Sequence, residues 1–243
     1  LEKILFTNTT NVPQEYAPQP ASKIIPDWYK NLSSYIGDEK KPSGMGTITS
    51  TAKRCMPIFD SISFGYIIPT CVDIYVSQRK VKHPVTNEVL EDSIPWYEWP
   101  TEMFGLPIEF HPIEQLPEHP LSNSFPYPKW INPWSIKTPP GYSTLFITPL
   151  HRPNIFTLLP GVVDTDRYYS PVNFPFTLND PTFEGLIPAG TPMVQVIPFK
   201  RDAWEMSMGD VQDHINQMNI LTKLRSRFFD SYKNHFRQVK EYK

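Results

Sequence analysis

Short apolar runs separated by proline and other turn residues fill most of the chain between residues 48 and 200. Residues 62–68, 71–76, 142–149 and 194–199 carry the β-branched and aromatic side chains that strands favour, and shorter runs at 58–59, 94–99, 136–138, 158–163 and 172–177 continue the series. Turn signals recur roughly every 8–12 residues, the spacing of a sandwich or barrel. Before this region, residues 1–20 read as an extended arm with a short strand at Ile4-Leu5-Phe6, because Pro13, Pro18 and Pro20 exclude a helix. Pro26-Asp27 suits the start of a short helix with Trp28, Tyr29 and Leu32 facing inward. Residues 37–46 are polar and loop-like, 81–87 read as a turn and strand continuation, and the proline-rich stretch 104–128 reads as a covering loop.

The pattern changes after Phe199. Residues 210–239 contain neither proline nor glycine, and Val211, Ile215, Met218, Leu221, Leu224, Phe228, Tyr232, Phe236 and Val239 recur at steps of three and four. This predicts one long amphipathic helix over 210–240, with Gly209-Asp210 as its start signal. Its apolar stripe is expected to pack on the β region or on another subunit. The expected organisation is a single mainly β (α+β) domain: an arm and short helix over 1–47, a β-rich core over 48–200, and the helix over 210–240.

Composition narrows the function classes. The chain has 243 residues, enough for a sizeable core, and 28 prolines against 10 glycines, which favours extended segments and fixed loops over helices. A net charge of −2 gives no global attraction to nucleic acid or anionic membrane, although the predicted helix is basic beyond Ile220. No run approaches the ~18 apolar residues of a membrane-spanning helix, and the first residues carry no signal-peptide pattern, so a soluble protein of a reducing compartment is expected. Cys55 and Cys71 are then expected to be free buried thiols.

Several constellations carry candidate chemistry. The acidic turn Gly161-Val162-Val163-Asp164-Thr165-Asp166 interrupts the apolar runs; it reads either as a site or as a turn whose aspartates bond their own backbone. His111, Glu114, Glu118 and His119 are metal-ligand types within one loop, but intervening prolines prevent helical ligand spacing, and no metal is expected there. Trp96, Trp99, Trp130 and Trp134 can form a stacking surface or anchor an irregular loop layer; burial is the expected outcome. No phosphate-cradling glycine motif occurs.

Over residues 60–200 the order of motifs resembles the dUTPase and dCTP deaminase superfamily. Gly65-Tyr66 followed by Asp73-Ile74, then Pro139-Pro140-Gly141-Tyr142, the acidic turn, and Gly190-Thr191-Pro192-Met193-Val194-Gln195-Val196 are similar to its successive strands and turns. The resemblance implies a β-clip or barrel core and a candidate nucleotide site. Asp164 would orient the attacking water, Asp166 would raise the pKa of Asp164 or help hold Mg²⁺, Arg152 would bind phosphate, and Gln195 would contact base or phosphate. Tyr168 stands one place beyond the position of the sugar-stacking tyrosine, Pro153 replaces a phosphate-binding donor, and the glycine-rich phosphate clamp is replaced by the predicted helix.

A wider resemblance covers most of the chain. Ile25-Pro26-Asp27-Trp28-Tyr29, the stretch from Ala52 to Asp60 with Gly65-Tyr66-Ile67-Ile68-Pro69, and the stretch from Ile131 to Tyr142 are similar to an uncharacterised family of tailed phages and environmental, marine sequences. It implies a location in the host cytoplasm or on the virion. Together these readings lead to the expectation of a non-enzymatic phage-type accessory or structural protein that uses its β scaffold for binding or assembly. Its expected partner is another copy, met through the C-terminal helix; nucleic acid and membrane are not expected partners. The alternative is a nucleotide-directed hydrolase, and only that reading calls for a nucleotide partner and Mg²⁺.

Overall fold

The structure is a computed structural model that describes residues 2–36, 50–82, 89–100, 105–112, 115, 127–225 and 231–243. In chain order the strands are β1 (Leu5–Asn8), β2 (Gln19–Pro20), β3 (Tyr66–Pro69), β4 (Ile74–Lys82), β5 (Val89–Glu98), β6 (Ile108–His111) and β7 (Tyr127–Trp130). They continue as β8 (Trp134–Lys137), β9 (Tyr142–Ile147), β10 (Phe156–Leu158), β11 (Gly161–Val163), β12 (Phe174–Leu178), β13 (Gly185–Ile187) and β14 (Pro192–Lys200). The α-helices are α1 (Asp27–Asn31), α2 (Met56–Ser63), α3 (Val211–Arg225) and α4 (Ser231–His235).

The chain is mainly β, as its apolar pattern predicts. All pairings are antiparallel and fall into four sheets: β1-β8, β10-β12-β7-β6, β11-β9-β14-β3-β2 and β13-β4-β5. None closes on itself among the described residues, so the core is not the expected barrel. The sheets share one aromatic interior. Trp130 stacks on Phe176 with ring centroids 4.5 Å apart, Tyr97 meets Phe176 edge-on, and Phe146 meets Phe174 across the five- and four-stranded sheets. Trp130 and Trp134 are buried anchors, as expected, whereas Trp96 lies partly exposed under the Arg79 guanidinium.

The longest strand of the five-stranded sheet, β14, is also the one that positions the candidate site. It pairs with β3 on one side and β9 on the other, and its register sets Lys200 opposite Tyr142. On the β3 side, Gly65 (φ +73°) lets the chain pass so close to Val196 that a Cβ there would sit 2.1 Å from the Val196 carbonyl oxygen. On the β9 side, Tyr142 N donates to Pro139 O across Pro140-Gly141, and Gly141 has φ +85°. Proline then glycine at the two central positions is the demand of a type II turn.

Four local expectations are overturned. Residues 58–59 are helical, not strand: Pro57 sits in the first turn of α2, where its missing N–H costs nothing. Residues 158–163 are two strands of different sheets, separated at Leu159-Pro160. Trp28 faces outward and donates its Nε1–H to the carbonyl of His151, while Tyr29 alone of the expected trio is fully buried. The fourth is within the expected covering loop, where residues 108–111 pair with β7 as a strand. Residues 37–46, 83–87, Glu114, Glu118 and His119 lie outside the described residues. Cys55 and Cys71 are unbridged and half-buried.

Candidate functional site

The acidic turn is built on three threonines. Thr165 is completely buried, and its hydroxyl lies 2.8 Å from that of Thr138 and 2.7 Å from that of Thr144. Thr138 N also donates to Thr165 O, and the Arg167 and Tyr168 amides both donate to Asp164 O. The turn is therefore fixed on β9, and the aspartates on either side of Thr165 project from one rigid point. Ser143 Oγ donates to Asp164 Oδ1 at 2.6 Å, and Gly141 N donates to Asp166 Oδ2 at 2.8 Å.

Arg201 completes the cluster. It follows β14 directly, and its amide donates to Gly141 O at 2.8 Å. Its guanidinium donates from Nη1 to Asp166 Oδ1 at 2.9 Å and from Nη2 to Asp166 Oδ2. Nη1 also reaches Tyr142 O, Ser143 Oγ and Asp164 Oδ1, the last at 3.2 Å. The Asp166 side chain is only 5% exposed, and the hydrogen bonds from Arg201 hold its carboxyl down at about 2. Asp166 is thus a fully engaged carboxylate beside a cation. That arrangement places the Arg201 guanidinium against both Asp166 and Asp164. Asp164 keeps an exposed carboxylate edge.

The other residues predicted for a nucleotide site have their polar atoms turned to different tasks. Gln195, completely buried on β14, accepts from Leu150 N at 2.9 Å and donates to Ser61 O and Phe64 O at 3.1 and 2.7 Å. It ties β14 to the end of α2 and to the loop after β9. Arg152 donates to Ile24 O in the N-terminal segment; burial lowers its pKa, and its Nε has no hydrogen-bond partner among the described residues. Tyr168 is half exposed. The structure therefore brings Asp164 and Asp166 together with Arg201, and gives neither Arg152 nor Gln195 a hydrogen bond to them. His111 bonds Gln115, and no group of metal-ligating side chains occurs among the described residues.

A second arginine clamp lies further along. Arg237 donates from Nε to Asp60 Oδ1 at 3.0 Å and to Oδ2 at 3.2 Å, and from Nη2 to Oδ1 at 2.6 Å; Lys240 Nζ adds a contact to Oδ2 at 3.0 Å. The hydrogen bond from Arg237 lowers the Asp60 pKa. Beside this pair, Tyr242 meets Phe64 and Tyr66 edge-on at 5.2 and 5.6 Å, and burial pushes its hydroxyl up to about 12.

Between the two clamps the chain makes an exposed excursion. Every residue over 202–219 is exposed, including Trp204 at 91%, Met206 at 89% and Met208 at 90%. Gln212 N donates to Asp210 Oδ1 at 2.7 Å, so Asp210 caps α3 as its sequence predicts. The stripe residues Val211, Ile215 and Met218 nevertheless face solvent, not the β region. Helix does not continue to 240 either. Residues 226–230 lie outside the described set, α4 ends at His235, and residues 236–243 leave the helical path to reach Asp60 and Tyr66. No described helix is long and apolar enough to cross a membrane.

The excursion starts and finishes at one cleft of about 270 Å³. Tyr142 and Pro198 line it from the outgoing side, Glu241 and Tyr242 from the returning side, with Tyr66 and Thr138 also in its wall. Sequence reading missed Arg201, Arg237 and Tyr242. The available signals were Asp60, an acid inside an apolar run, and the register that carries Arg201 past the turn glycine. Compared with known proteins, the chain matches no family model and no curated protein.

Proposed function

We propose that this chain is a non-enzymatic assembly protein, of the tailed-phage type its sequence resembles, in which a dUTPase-like β scaffold presents an apolar C-terminal arm to another protein surface. A place in the host cytoplasm or on the virion accords with that reading. The observation that carries it is the exposure of Trp204, Met206 and Met208 on an unbroken exposed segment that leads into the exposed Val211, Ile215 and Met218 of α3. Contiguous apolar surface of this kind marks an interaction site. Residues 204, 206 and 208 alternate with the polar Glu205 and Ser207 along backbone that is neither helix nor strand. The saturated hydrogen bonds of Asp166 and Gln195 support a scaffold over an enzyme, because they give those groups structural tasks.

The test is the solution mass of the full chain across concentration, by light scattering, beside a variant with Trp204→Ser, Met206→Ser and Met208→Ser. The expected result is an assembled wild type and a single-copy variant with an unchanged melt. A single-copy wild type at every concentration overturns the reading.

The exposed carboxylate edge of Asp164 favours one second reading, the nucleotide-directed hydrolase. It predicts stabilisation by a deoxynucleotide with Mg²⁺, about 2.7 kcal/mol at ~100 times the Kd, lost in Asp164→Asn. No thermal shift with any deoxynucleotide retires it.

A further inference from the structure

We propose that residues 237–243 are exchanged between two copies of the chain, so that the Asp60 seat of one protomer holds Arg237 and Tyr242 of the other. This rests on the assembly reading above and specifies its partner and its joint.

The first support is where the excursion begins and ends. It leaves the body after the Arg201 clamp and returns at the Arg237 clamp, and both approaches line the same cleft. A segment that departs and returns at one place, covering none of its own residues over 202–219, has no packing task within a single copy. The same segment spanning to a second copy acquires one. Two excursions crossing side by side place the Trp204, Met206 and Met208 side chains of each against the other.

The second support is reach. Residues 202–210 span about 30 Å when extended, and the fifteen residues of α3 add about 22 Å. A compact body of this chain length has a radius of gyration of about 18 Å. The arm is therefore long enough to deliver residues 237–243 to a neighbouring body.

The third support is the seat itself. Asp60 lies on α2 with its carboxylate nearly buried, Phe59 offers its ring to the Arg237 guanidinium at 5.6 Å, and Phe64 and Tyr66 receive Tyr242. An anionic group flanked by aromatic rings selects a cation and an aromatic side chain at this spacing. It makes the same contacts whether they arrive from its own chain or from another, which is the condition for exchanging an element between protomers.

The experiment uses charge reversal in the full-length chain, with oligomeric mass as the readout and a cooperative melt as the check of folding. Asp60→Arg and Arg237→Asp are each expected to lose the assembled mass when expressed alone. Co-expressed, they are expected to regain it, because each seat then finds a complementary tail on the other chain. Retention of the assembled mass by both single variants, or its loss without recovery in the mixture, overturns the exchange. If Asp60→Arg does not melt cooperatively, Asp60→Asn serves instead. Exchange predicts a dimer dissociation constant weakened at least about tenfold, the worth of a hydrogen bond to a charged group, whereas an unchanged constant overturns it. The two readings separate cleanly. A wild type that never assembles removes both, while an assembly sensitive to Trp204, Met206 and Met208 but indifferent to the charge reversals removes the exchange alone.

Discussion

Arg201 grips both carboxylate oxygens of Asp166 and in the same pose touches Asp164 Oδ1 at 3.2 Å. One guanidinium thereby fastens the end of β14 to the turn after β11, across the intervening strand β9. The acidic turn that draws attention in the sequence is the anchor point from which the exposed arm departs.

Acid should release that anchor. Asp166 is held at about 2 when folded, against an ordinary value of 3.8. A carboxyl depressed in the folded state contributes stability that is full above its unfolded value and is lost as pH falls through the folded one. Asp60 is shifted in the same direction by Arg237. Chemical denaturation followed over the acid range should show stability falling from near pH 4 towards pH 2, and Asp166→Asn should flatten that dependence. An equally steep fall in the variant refutes the assignment.

Gln195 is expected to behave as a structural brace. Gln195→Leu leaves Leu150 N, Ser61 O and Phe64 O without their side-chain partner in a buried place. The expected loss is roughly 2–4 kcal/mol in urea unfolding, with the assembled mass unchanged at temperatures where the variant is folded. A ligand-binding role predicts instead a stable variant with lost nucleotide response.

Gly65 should tolerate no side chain. Its φ of +73° and the 2.1 Å approach of a Cβ to Val196 O combine backbone strain with a clash against a neighbouring strand. Gly65→Ala should cost about 3 kcal/mol, measured by the same unfolding. Gly161→Ala is the control, since a Cβ there meets nothing and φ is ordinary.

Trp130→Ala should cost about 3–5 kcal/mol, because it removes the ring stacked on Phe176 and edge-on to Phe156 at the centre of the shared interior. A smaller loss in thermal or chemical unfolding would mean that the neighbouring aromatics close the cavity.

The β class was legible because apolar alternation and proline punctuation report local backbone preference. The strands at 142–147 and 192–200 lie close to where the pattern places them. The pattern failed at 58–59, where a proline in the first helical turn outweighed β-forming side chains, and at 158–163, where Pro160 divided one apolar run between two sheets. In the candidate site, Asp164 and Asp166 stood out as acids between apolar strands. Their partner did not, because Arg201 is 35 residues away from Asp166 and meets it only through the β9–β14 register. The stripe over 210–240 predicted one long helix, whereas α3 ends at Arg225 and α4 at His235, and periodicity is blind to what covers a face. It also gave no weight to the Asp60 and Tyr66 seat that draws residues 237–243 off the helical path.

Trp204 gives the molecule an optical handle. At 91% exposure its indole is bathed in solvent, whereas Trp130 and Trp134 sit in the aromatic interior. The single-copy protein should therefore emit with a red component that acrylamide quenches at once and a blue component that it scarcely reaches. Covering the arm shifts the red component alone, so the intrinsic light of the unlabelled protein reports on whether the excursion is occupied.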